Sequence, residues 1–301
     1  SDNARASHIY IDCPARQQFA TRPPSLVVAS DASGAIKLTS AHPTLTSQGR
    51  PGKTQSVSMG SQPQYTLPPE QASFSGFLFD MDGTIVDSTL AIVKHWHTIG
   101  KEIGVSAETI LQTSHGRRSI DVFKIIAPEK ANWEYVQHVE GQLPLLYGDD
   151  ATEVLGSRSL LDSLTAQSSP WAIVTSGTEP LVTGWLNVLS LAVPQHLVTA
   201  ESVQNGKPDP ACYLMGLEKL GLQDAPGDVL VLEDAPAGIK AGKAAGCKVV
   251  GLVTSHTVEQ VVAAGPHWVV KDLESIRVVG RAGGKVTIEI SNALHQGGEI
   301  R

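Results

Sequence analysis

Three short apolar runs that close on polar residues set the pattern of the chain from Phe74 onward. Phe77-Leu78-Phe79 runs into Asp80, Trp171-Ala172-Ile173-Val174 into Thr175-Ser176-Gly177, and Asp228-Val229-Leu230-Val231-Leu232 into Glu233-Asp234. A fourth run, Lys248-Val249-Val250-Gly251-Leu252-Val253, follows. Continuous apolar stretches this short read as strands buried on both faces. Helical spacing separates them, over 179–189, 208–220 and 236–245. Strands alternating with helices of about ten residues imply right-handed βαβ crossovers, so the expected fold class is α/β with a Rossmann-like parallel sheet core. In such sheets ligands bind beyond the carboxyl ends of the strands, where each polar cluster falls.

About ninety residues between the first two runs hold no strand-like stretch. Helical patterns stand instead at 89–103, 107–112, 119–126 and 132–146, which predicts an all-helical cap inserted over 89–156. The catalytic core is then expected at 72–88 and 157–292. After Gly280, Lys285-Val286-Thr287-Ile288-Glu289-Ile290 alternates cleanly and predicts an edge strand or a hairpin arm. Residues 1–71 are rich in Ser, Thr, Pro, Gln and Gly and cannot bury enough apolar area to offset their ordering entropy, so they are expected to be disordered. Within them Gly52-Lys53-Thr54 has the ending of a phosphate-binding loop, but Ser47 stands where that loop needs Gly or Ala and turn formers flank it.

Composition narrows the partners. A net charge of -7 argues against nucleic acid or an anionic membrane, though a metal ion and a few fixed donors can still reverse the field locally for a small anion. Three widely spaced cysteines, Cys13, Cys212 and Cys247, form neither a disulfide framework nor a zinc pattern and suit a reducing compartment. No stretch is apolar enough for a membrane span and no secretory signal opens the chain, which lacks an initiator Met. The expectation is a cytoplasmic protein, monomeric or weakly dimeric.

The candidate chemistry lies in four places. Asp80-Met81-Asp82-Gly83-Thr84 sets two carboxylates two residues apart at a strand end, and Gly83 permits the tight turn that lets them diverge. One carboxylate can attack phosphorus while the other handles the leaving-group proton, although taken alone the motif also fits an acidic turn before a helix. Glu233-Asp234 at another strand end would complete an all-oxygen site of the kind Mg²⁺ prefers, although Asp234 could merely cap the helix at Pro236. Thr175-Ser176-Gly177 offers a hydroxyl and backbone N–H groups to an anion, and Lys207, before Pro208, offers a point charge.

In this order, each at or beside a strand end, the four motifs resemble the haloacid dehalogenase superfamily of phosphatases across residues 74–292. Ser114-His115-Gly116-Arg117-Arg118, 171–178 and 233–246 are similar to the fungal glycerol-phosphate and 2-deoxyglucose-6-phosphate phosphatases, and 286–292 resembles the second group slightly more. The resemblance implies a Mg²⁺-dependent hydrolase of a small phosphorylated sugar or polyol that works through an aspartyl-phosphate. Asp80 would be the nucleophile and Asp82 the acid and base. Mg²⁺ would be held by Asp80, the backbone carbonyl of Asp82, Asp234 and, directly or through water, Glu233. Thr175, Ser176 and Lys207 would bind the phosphate, and His115, Arg117 and Arg118 of the cap would choose the substrate. A phosphomutase on the same fold and a non-catalytic phosphometabolite-binding protein are the alternatives.

Overall fold

The computed structural model describes residues 63–114 and 116–295, which lie within one of the two compact units of the chain, residues 60–301. Gly52-Lys53-Thr54 and His115 lie outside the described residues. In chain order the elements begin with strands β1 (Glu70–Phe74), β2 (Gly76–Phe79) and β3 (Val86–Asp87). Helices α1 (Thr89–Ile103), α2 (Ala107–Ser114), α3 (Ser119–Ile126) and α4 (Trp133–Tyr147) follow, then β4 (Thr152–Glu153) and α5 (Ser157–Ala166). The alternating part runs β5 (Trp171–Val174), α6 (Glu179–Val188), β6 (His196–Val198), α7 (Ala211–Lys219), β7 (Val229–Glu233), α8 (Pro236–Ala244), β8 (Lys248–Leu252), α9 (Val258–Ala264) and β9 (Trp268–Val270). The hairpin β10 (Ile276–Ala282) and β11 (Lys285–Ile290) closes the described chain.

The main sheet has six strands in the order β6-β5-β2-β7-β8-β9, and every pairing is parallel. β2, β5 and β7 are buried along their whole length, which is why their sequences do not alternate. The two-residue side-chain period still sorts them. Phe77, Phe79, Trp171, Ile173, Leu230 and Leu232 face one hydrophobic layer, while Leu78, Ala172, Val174, Val229 and Val231 face the other. β2 lies between β5 and β7, so the chain leaving it is flanked by the exits of both neighbours.

Helices α1 to α4 carry a core of their own, built on Trp96, Ile99, Ile110, Phe123 and Val136. Their apolar faces meet one another as the periodicity requires, and α4 also lies against α6. The short antiparallel pair β3–β4 joins the two ends of this insertion, in a stretch where the sequence shows no strand-like run.

Several expectations are corrected. The segment expected to be disordered through residue 71 enters β1 at Glu70, whose partner is Ile290, and Gln71 pairs with Glu289. Upstream, the Leu67 N–H donates to the Ala293 carbonyl and the His295 N–H to the Gln64 carbonyl. These partners lie far away in the sequence, so local composition could not reveal them. β11 is a hairpin arm but not an edge: it is the middle strand of an antiparallel sheet ordered β1-β11-β10. The helix expected from Pro208 begins at Ala211, because Lys207–Pro210 forms turns first. Among the described residues no helix is long and apolar enough to cross a membrane.

Candidate active site

Asp80 is the first residue beyond β2, and its N–H still donates to the Leu232 carbonyl of β7 at 3.0 Å. That one extra rung seats its carboxylate beside Glu233. The chain then turns tightly, with the N–H groups of Thr84, Ile85 and Val86 all donating to the Met81 carbonyl. Gly83, at φ +86°, allows this turn, and a Cβ there would collide with the Asp234 carboxylate. The turn thereby brings Asp82 back over the strand ends.

Lys207 crosses from the loop before α7 and spends all three ammonium protons: on Asp80 Oδ1 at 2.5 Å, Glu233 Oε1 at 2.6 Å and the Val174 carbonyl at 3.1 Å. Burial alone would drive this amine toward neutrality, but Asp80 and Glu233 outweigh it and hold it charged, above its ordinary range. Burial pushes the Asp80 carboxyl well up, Lys207 opposes this, and Glu233 and Asp234 add to the rise. Burial likewise lifts Asp82 to about 6, against the Ser88 hydroxyl that donates to it at 2.6 Å.

Glu233 is fully buried and fully engaged. Its Oε1 also accepts from Tyr213 at 2.8 Å, and its Oε2 accepts the Ala235 N–H at 3.0 Å. A Cβ at Gly238 would collide with this carboxylate, so α8 approaches it only because that residue is glycine. Asp234 accepts from Thr84 Oγ1 at 3.1 Å and from the Ser255 hydroxyl. Oxygens of Asp80, Glu233 and Asp234 lie within 4.8 Å of one another. Three buried carboxylates thus face a single ammonium, and the excess negative charge and hard-oxygen donor set fit a divalent cation such as Mg²⁺. Glu233 is also the lysine's counter-charge, and it remains with Asp80 and Asp234 one of three carboxylates close enough to share a cation.

Thr175, Ser176 and Gly177 lie across the same cavity, at the end of β5. Thr175 Oγ1 accepts the Gly177 N–H at 3.0 Å, and Ser176 Oγ donates to the Gly116 carbonyl at 3.2 Å, tying the cap loop to the sheet. The expected residues Asp80, Asp82, Thr175, Ser176, Lys207, Glu233 and Asp234 therefore all line one cavity.

The cap residues divide. Arg117 is exposed and lines the cavity at its rim. Arg118, expected to read the substrate, is 4% exposed and its guanidinium is committed elsewhere. It donates to the Ala200, Val203 and Gln204 carbonyls and to Asp121, with Trp133 stacked at 5.9 Å. Arg118 fastens the cap to the core instead. Its Arg-Arg context gave no sign of this, because the carbonyls it binds lie more than eighty residues away.

Several lining residues escape the sequence motifs, among them two buried titratable groups of the cap. Glu140 of α4 is buried, accepts from Ser119 Oγ at 2.5 Å and from the Thr178 N–H at 2.7 Å, and is pushed by burial up to about 7. His95 of α1 is buried and pushed by burial down to about 4. A signal existed for both: Glu140 sits at helical spacing from Val136 and Leu143, and His95 from Ala91 and Ile99, so each is a polar residue on an apolar face.

The haloacid dehalogenase-like hydrolase family matches residues 77–252. The chain is 41% identical over 222 residues to glycerol-1-phosphate phosphohydrolase 2 of Saccharomyces cerevisiae, covering 71% of this chain and 89% of that protein. It is 35% identical over 236 residues to 2-deoxyglucose-6-phosphate phosphatase 1 of the same yeast, covering 72% and 95%. The crystal structure of a hydrolase from Pseudomonas syringae superposes with a TM-score of 0.56 at 25% identity, covering 66% of this chain and 94% of that one.

Proposed function

For this chain, a member of the haloacid dehalogenase-like hydrolases, we propose the activity of a Mg²⁺-dependent phosphatase acting on a small phosphorylated sugar or polyol. The observation that carries the reading is the pairing of Asp80, buried at the end of β2 against Lys207, with Asp82, whose carboxyl is lifted to about 6 two residues later. A nucleophile has no purpose in a binding protein, and an acid beside it has none without a leaving group.

Asp80 attacks phosphorus in line and forms an aspartyl-phosphate as the alkoxide departs. Asp82, partly protonated because it is buried, gives its proton to that alkoxide and then takes one from the water that hydrolyses the intermediate. Ser88 orients it throughout. Thr175 and the Ser176 backbone N–H take equatorial phosphate oxygens, while Lys207 steadies Asp80 and presents its charge to the group being transferred. The carboxylates of Asp80 and Asp234, the carbonyl of Asp82 and, directly or through water, Glu233 would hold Mg²⁺, which supplies charge neutralisation at the phosphoryl oxygens. The names of the two yeast relatives support the substrate class. The two described cysteines, Cys212 and Cys247, are buried and free, in keeping with a cytoplasmic setting.

Phosphate release from a panel of sugar and polyol phosphates, with Mg²⁺ and with chelator, tests the reading. Asp80→Asn should fold normally, lose turnover by at least about 10³-fold, and fail to trap beryllium fluoride, which mimics a phosphoryl group on a carboxylate. A folded Asp80→Asn protein that still releases phosphate would overturn the assignment.

A further inference from the structure

The cap side of the cavity contains polar atoms with nothing to bind. His95 in α1 and Ser114 at the end of α2 are 6% and 7% exposed, and both line the cavity that holds Asp80. Yet among the described residues His95 Nε2 and Ser114 Oγ have no hydrogen-bond partner. Buried donors and acceptors are normally satisfied, and two unsatisfied ones lining one cavity are placed for something that enters it. The imidazole is held edge-on to Trp96, with ring centroids 5.2 Å apart, so its orientation is fixed by packing.

We propose that His95 and Ser114 form a hydroxyl-recognition subsite that takes the uncharged, polyhydroxylated end of the phosphate ester. The proposal rests on the phosphatase reading and specifies its substrate. Three features favour hydroxyls over a second anion. Of the two loop cations, Arg117 is exposed at the rim and Arg118 is fully engaged outside the cavity. Burial keeps His95 a neutral imidazole at physiological pH, so it can exchange a hydrogen bond with a hydroxyl but offers no charge to an anion. Ile92, Trp96 and Leu143 supply apolar wall to the same cavity, matching the C–H faces of a polyol.

The test compares glycerol phosphate with n-propyl phosphate, which has the same carbon count and no free hydroxyl. In wild type kcat/KM should favour glycerol phosphate by at least about tenfold, because a site built for hydroxyls is left unpaired by the analogue. His95→Phe keeps the ring and its packing on Trp96 but removes the nitrogens, and Ser114→Ala is a smaller change that carries the test should the first variant fold poorly. Each should lose about tenfold on glycerol phosphate, equal to ~1.4 kcal/mol, and less than about twofold on propyl phosphate. Equal losses on both esters, or a wild type that does not distinguish them, would overturn the subsite while leaving the phosphatase reading intact. A wild-type preference for a bisphosphate over glycerol phosphate would overturn it too. Release of phosphate from none of these esters would overturn the phosphatase reading, and the subsite with it.

Discussion

A single buried acid shows how far an individual residue can shape the protein's behaviour. Glu140 has both oxygens bonded, one to the cap through Ser119 and one to the core through the Thr178 N–H, yet burial lifts it from an ordinary 4.5 to about 7. Between those two values the folded protein keeps a proton that the unfolded chain has released, so stability falls as pH rises through that window and levels off above it. Glu140→Gln removes the titration. The variant should therefore gain stability relative to wild type between pH 5 and pH 8, by up to on the order of 3 kcal/mol. Thermal or urea unfolding across that range measures this, and a pH-independent difference between the two proteins would refute it. The catalytic carboxylates were legible because they stand at the ends of apolar runs, where position alone confers meaning. Glu140 and His95 were only half legible: helical spacing puts each on an apolar face, but what that face lines is known only once the neighbouring elements are placed.

Among the elements, those whose identity follows from their own residues were the readable ones. α1 and α3 fall where apolar spacing places them, as does β5, and the other central strands shift by only a residue or two. Elements defined by a distant partner were hidden: β1 is polar and gains its strand form from β11, and β3 and β4 are two residues each and exist only as a pair. Arg118 belongs with these. It precedes α3 directly and binds three carbonyls of the 200–204 loop, so it acts as a joint between elements. Arg118→Ala would strand those carbonyls and should cost on the order of 3 kcal/mol. That corresponds to a fall in Tm of roughly 6–12 °C, with similar activity losses on every ester. Arg118→Lys should rescue little, since a point charge cannot reproduce the planar fork. Selective loss on one substrate class would instead return Arg118 to substrate recognition.

On the scale of the whole molecule, the antiparallel sheet ties the two ends of the described chain together. Phe74 at the end of β1 is 3% exposed and packs edge-on to Phe77 and Trp268, and Trp268 Nε1 donates to Glu70. A protein beginning at Gln64 should keep the Tm and specific activity of the full chain. One beginning at Ser75 loses the β1 pairing and Phe74, and should be destabilised by at least about 3 kcal/mol, the cost of removing a buried phenylalanine alone. Unfolding curves of the two truncations decide this, and equal stability would show that β1 is ornamental.

The same sheet imposes an order on biosynthesis. Gln71 and Glu289, partners across it, are 218 residues apart, and β11 is among the last parts of the described chain to leave the ribosome. At about 5–20 residues per second, β1 waits roughly ten to forty seconds for its partner. During that interval the parallel strands, up to β9, can already associate, while β1 remains a bare strand with nothing to pair against. The cell therefore meets this protein first as a nearly finished hydrolase core with β1 still unpaired, and the β10–β11 hairpin seals it once it emerges.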